Sequence, residues 1–157
     1  MKKSVSWFIA VALLVVTVQL SGCATPAALN LKEHASHFQP PANSEKGYIY
    51  FYRELSMLGA ARGIYLVVDG NRVGGVNSGT YFVYEAVPGS HWIAAENSIE
   101  GVKKTKKTLN VAAGKEYFVR TTINFGHPDA WGDIHRVGEE EGKEAIKSLK
   151  YATLNEK

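Results

Sequence analysis

The chain has 157 residues, a single cysteine and a formal net charge of +3. Setting aside the first 22 residues, which hold Lys2 and Lys3, leaves 135 residues with 16 basic against 15 acidic side chains, enough for one domain with its own core. That near-neutral balance excludes a nucleic-acid partner, and one cysteine excludes an internal disulfide, so stability has to come from packing.

Met1, Lys2 and Lys3 precede an apolar run from Trp7 to Val18, followed by Leu20-Ser-Gly-Cys23. Charge, apolar run and small residues follow in the order of a secretory signal, and the run is shorter than the ~20 residues a bilayer span needs. Leu20-Ser-Gly-Cys23 resembles the lipobox of bacterial lipoprotein precursors. The resemblance implies cleavage after Gly22, acylation of Cys23, and a protein held at a membrane through that cysteine and facing the periplasm. Ala24 in place of Asp after the cysteine resembles lipoproteins sent to the outer membrane.

Residues 23–45, with Pro26, Pro40 and Pro41, are expected to form a lipidated tether. Leu29, Leu31, Ala35 and Phe38 allow at most two helical turns within it. From Lys46 the apolar period becomes that of strands. The expected strands are 47–53, 62–68, 72–76, 80–87, 90–96, 104–111 and 116–125, with hairpin signals at Asp69-Gly70-Asn71, Asn77-Ser78-Gly79, Pro88-Gly89 and Ala113-Gly114. Seven short strands without an intervening helix predict an antiparallel sandwich or barrel over residues 46–137. Residues 138–157 are expected to be a terminal helix and tail, since Glu139-Glu-Glu141 and Lys147 and Lys150 match the helix dipole.

The run from Tyr48 to Arg120 resembles the bacterial lipoprotein family known as domain of unknown function 2846. Its marks are Ile49-Tyr-Phe-Tyr-Arg53, Val67-Val-Asp-Gly70, Gly79-Thr-Tyr-Phe82, Val87-Pro-Gly-Ser-His91 and Ala113-Gly-Lys-Glu-Tyr-Phe-Val-Arg120. The Val-Asp-Gly and Pro-Gly-Ser-His pieces are also similar to those of transthyretin-like extracytoplasmic modules. These resemblances imply an all-β, transthyretin-like or immunoglobulin-like sandwich and carry no catalytic residue.

His127, Asp129, Asp133 and His135 lie within nine residues and are the donor types a divalent metal takes, although a polar loop after the last strand explains them without metal and is the favoured reading. His34 and His37 have the spacing of one helix turn. No Gly-x-Ser-x-Gly or phosphate-cradling loop occurs, and Ser90 beside His91 sits in a turn, so no enzyme and no cofactor is expected. Arg53 and Arg120 are candidates for pairing with carboxylates or an anionic ligand, but strand-surface charge is the favoured reading, because long charged side chains are mostly exposed. Tyr48, Tyr50 and Tyr52 share one face of the first strand and Ile49 and Phe51 the other. One row faces the core; the other is either covered by the terminal helix, the favoured reading, or left as a surface for an envelope protein or glycan. Lys103, Lys104, Lys106 and Lys107 alternate sides of a strand, as expected of an edge. The functional expectation is a non-enzymatic envelope module, with ligand or metal binding at 127–135 as the alternative.

Overall fold

The computed structural model describes residues 31–97, 105–126 and 130–154. Cys23, Lys103, Lys104, His127 and Asp129 lie outside the described residues. The elements are β1 (Leu31–His34), β2 (Gly47–Arg53), β3 (Ile64–Val68), β4 (Asn71–Val76), β5 (Thr80–Ala86), β6 (Gly89–Asn97), β7 (Thr105–Val111), β8 (Glu116–Phe125), β9 (Ala130–Val137), α1 (Glu139–Ile146) and β10 (Lys150–Leu154).

They build two sheets, β1-β10-β5-β2-β8-β9 and β4-β3-β6-β7, an all-β sandwich with one short helix near the C-terminus. All seven expected strands are present. Asp69 and Gly70 both take positive φ, 49° and 89°, which is the backbone a two-residue hairpin between β3 and β4 requires. Strand β7 is an edge as expected, and Leu109 and Val111 enter the core after the exposed Lys106 and Lys107.

Four expectations are corrected. The larger sheet is mixed rather than antiparallel, because β2 runs parallel to β8 and β10 parallel to β5. The tether and tail are in part sheet: Leu31–His34 pairs with Lys150–Leu154, so the 31–38 segment is extended rather than helical at its start. Residues 130–135 lie on β9 rather than in a polar loop, paired along β8 from Arg120 to Phe125. The helix ends at Ile146, where β10 must begin soon after.

The helix has a topological reason. Strands β9 and β10 point the same way at separated positions of one sheet, so the chain has to cross the outer face between them, and α1 is that crossover. Strand β2 is consequently covered on both faces and buried at every position, which is why Gly47–Arg53 reads as an almost unbroken apolar run. Ile49 and Phe51 point between the sheets with Leu66, Ile93, Val119 and Ile134. Tyr48, Tyr50 and Tyr52 point outward into a second cluster with Tyr81, Phe118 and Leu149, roofed by Phe38, Ala145 and Ile146.

Candidate functional site

Strand register places one side chain from each strand in a row across the outer face of the larger sheet: His135, Arg120, Tyr52, Tyr81, Tyr151 and His34. Alternation dictates the row, since each lies an even number of residues from an outward-facing neighbour. Its central members are buried. Tyr81 Oη accepts the Phe38 N–H at 2.9 Å and lies 3.0 Å from His37 Nδ1, so the proline-flanked segment is stapled to the sheet. His34 Nε2 is 3.1 Å from Thr153 Oγ1, and its ring tilts against Tyr151. The two histidines thus serve β1 and the bend after it separately and do not converge on one point.

One step along β2, Tyr50 stacks on Phe118 with centroids 4.7 Å apart and donates to Glu116 Oε1 at 2.6 Å. Burial, reinforced by the Glu116 carboxylate, raises the Tyr50 pKa, so the phenol stays protonated. Lys143 of α1 contacts Glu116 Oε2 at 3.0 Å and Glu139 Oε1 at 2.6 Å, and these hydrogen bonds raise its pKa. Glu116 and Lys143 close one side of a hollow of about 400 Å³ whose other walls include Phe38, Phe118 and Ile146. An aromatic wall with a neutralised polar rim suits an uncharged amphipathic group, but every polar atom named here is already satisfied.

The tyrosine row is therefore not a partner surface. Tyr48, Tyr50 and Tyr52 are each at most 2% exposed. The favoured reading, cover by the terminal helix, holds in part: α1 covers Phe118, while Phe38 from the segment before β2 packs on Tyr48 and Tyr50. Eight helical residues span only about 12 Å, too little to roof three strands alone.

Arg53 is likewise not a surface charge. It is 3% exposed and falls, with Ile49 and Phe51, on the inner face of β2. At the mouth of the sandwich its guanidinium donates to the carbonyls of Arg62 (2.5 Å), Gly59 (2.9 Å) and Leu58 (3.3 Å), so the whole 58–62 turn is organised around one cation. Burial lowers its pKa, yet the carbonyl dipoles leave it charged at neutral pH. Arg120 is half-exposed, with Nη1 3.5 Å from Glu141. Its Nε and Tyr52 Oη are the buried side-chain polar atoms without a hydrogen-bond partner among the described residues.

Of the four proposed metal ligands, Asp133 and His135 are on β9, two residues apart on the outer face and 3.3 Å from each other. Asp133 Oδ1 also accepts the Ile134 N–H at 2.8 Å. His127 and Asp129 are outside the described residues, and among the described residues no three donors come together.

A second polar node joins two fragments quoted from the sequence, Val67-Val-Asp-Gly70 and Val87-Pro-Gly-Ser-His91. Asp69 Oδ2 lies 2.6 Å from His91 Nδ1, Asp69 Oδ1 accepts the Trp92 N–H at 2.9 Å, and His91 Nε2 lies 2.8 Å from the Val87 carbonyl. Both partners of the ring are acceptors, so both nitrogens donate and the imidazolium is the fitting form. The hydrogen bond to Asp69 raises the His91 pKa, and the same bond lowers that of Asp69. The node ties the β3–β4 hairpin to the β5–β6 turn. Sequence reading treated His91 only as a turn residue; the pairing with an aspartate 22 positions away had no local signal.

Two packed sheets with one short helix define the class by fold, an all-β sandwich. Residues 43–133 match the family described as a protein of unknown function, DUF2846, and the chain belongs to that family. It is also similar to an uncharacterized protein of Haemophilus influenzae, 32% identical over 139 residues that cover 87% of this chain and 80% of the relative. No solved structure matches. The family match reaches past Arg120 into β9 but leaves β1, α1 and β10 outside, although β10 is built into the sheet beside β5.

Proposed function

We propose that this protein is a lipid-anchored envelope lipoprotein whose sandwich is a non-enzymatic interaction or structural module. The observation that carries the reading is Leu20-Ser-Gly-Cys23 behind a short apolar run. The folded domain supports it: β1 begins eight residues after Cys23, so a membrane-held cysteine keeps the sandwich close to the surface. Acyl chains supply anchoring, because more than one chain is needed for stable attachment, and the domain then acts at the membrane surface. The outer membrane is the destination this reading assigns, with Ala24 as its support.

Replacing Cys23 by Ser and growing cells with labelled fatty acid tests the anchor. The variant is expected to lose label and to accumulate as precursor or soluble protein; incorporation equal to that of the parent chain overturns the reading. The alternative, binding of a divalent metal or small ligand at 127–135, draws support from the Asp133–His135 pair on β9. Metal analysis of the purified protein separates the two, with stoichiometric metal favouring the alternative.

A further inference from the structure

The loop from Glu54 to Gly63, between β2 and β3, displays Leu55, Met57 and Leu58 at 81%, 94% and 67% exposure. Phe125 stands beside them, half-exposed at the end of β8, and the Gly59 backbone lies against Ile123 and Phe125. Isolated apolar side chains on a surface are ordinary, but three within four residues of one turn are a patch. The stretch Leu55-Ser-Met-Leu-Gly-Ala-Ala61 has no charge.

This loop is not a loose one. Arg53 holds the carbonyls of Leu58, Gly59 and Arg62. Ser78 Oγ accepts the Ser56 N–H at 2.8 Å and donates to the Ser56 carbonyl at 2.9 Å. Met57 O accepts the Ala60 N–H, and Gly59 O the Arg62 N–H. Every carbonyl from Ser56 to Gly59 therefore has a donor within the protein. Such internal partners for the carbonyls lower the cost of bringing the loop close to an apolar medium.

We propose that Leu55, Met57 and Leu58 dip into the acyl boundary of a lipid bilayer, a reading that rests on the proposed membrane anchor. Exposure and size favour lipid over protein. The three side chains are largely exposed, and a bilayer accepts such side chains without a complementary pocket. Three side chains present a few hundred Å², well short of the ~800 Å² per partner of a stable protein interface, yet shallow interfacial insertion requires no more. The chain between anchor and domain permits it as well. Eight links from Cys23 to Leu31 reach about 27 Å, and strand rise and spacing put the loop tip about 25 Å from Leu31. One surface can hold both.

The test uses the processed, acylated chain in vesicles of phosphatidylethanolamine and phosphatidylglycerol. An acylated Cys23 has no free thiol, so Met57→Cys provides a single site for an environment-sensitive dye, and Val87→Cys, exposed at the opposite end of the sandwich, provides the reference. Brominated acyl chains are expected to remove most of the emission of the dye at 57 and none at 87. Adding Leu55→Ser and Leu58→Ser should restore emission at 57 with an unchanged far-ultraviolet spectrum. Equal emission at both positions in protein that sediments with the vesicles overturns the proposal and leaves the anchor standing. Protection of position 57 without bromine quenching, accompanied by a doubled mass, also overturns it and assigns the loop to a second copy. Should the parent chain itself take up dye, Cys23 is unacylated and the anchor reading falls; the two labels are then placed on Cys23→Ser, vesicles are added from outside, and the same criterion applies.

Discussion

Gly142 lies in the middle of α1, where helix propensity alone says that alanine should be better by about 0.5–1 kcal/mol. The packing of α1 reverses that sign. A β-carbon on Gly142 would fall 2.1 Å from Phe118 Cγ and 2.3 Å from its Cβ, distances at which the helix or the ring must move. Phe118 cannot yield freely, because its other face is stacked on Tyr50. Inserting a methyl group into such a contact costs about 1–3 kcal/mol, so Gly142→Ala should destabilise by a net ~1–2 kcal/mol and lower Tm by roughly 4–8 °C. Urea titration of the purified protein, followed by tryptophan fluorescence and far-ultraviolet circular dichroism, measures the change. Gly142→Ser and Gly142→Val should cost progressively more. Gly138→Ala is the control, since a β-carbon there meets nothing within 4 Å. If Gly142→Ala is as stable as the parent chain or more so, the helix does not rest on Phe118 and the account of the covered tyrosine row is wrong.

Arg53→Met should destabilise by about 2–3 kcal/mol, because three carbonyls lose a charged donor, and Arg53→Lys should not rescue it. Hydrogen exchange at the Ala60 and Arg62 amides should accelerate most, and unchanged protection there refutes the assigned role. His91→Gln should cost about 1–2 kcal/mol near pH 5–6. The raised His91 pKa means its contribution is complete below the usual 6.5 and is lost as pH rises through the folded value. The lowered Asp69 pKa means the complementary contribution is complete above 3.8 and is lost as pH falls through the folded value. The stability difference between parent and variant should therefore be widest between about pH 4 and 6.5 and shrink on either side; a flat difference from pH 4 to 9 argues against the ionic node.

Strand period made β2 to β8 legible, because each has a buried face, and turn chemistry marked the joints from β3 to β6 and from β7 to β8. Strands β1 and β10 were not, since Leu31–His34 and Lys150–Leu154 each offer too few apolar positions to set a period and acquire one only by pairing. In β9, Gly132 and Asp133 read as turn residues, whereas in the sheet Gly132 takes an inward position beside Ile134. The burial of Arg53 was readable from parity: counting by twos from Ile49 and Phe51 puts it on the core face. The general exposure of arginine outweighed that parity. The exposed loop gave a signal too, an uncharged apolar stretch between two strands. The Asp69–His91 contact depends on how two hairpins stack, and nothing local encodes it.

The pairing of β1 with β10 also sets an order in time. Thr153 meets His34 across 119 residues of chain, and the parallel seam between β10 and β5 waits on the same segment. The larger sheet has no way to close while the chain is being made or threaded N-terminus first, because its second strand in space is its last in sequence. Until residue 154 arrives, β5 presents an open edge, and a chain with such late, long-range closure forms slowly. Closure of the larger sheet is therefore timed by the arrival of β10 and not by the strands that precede it.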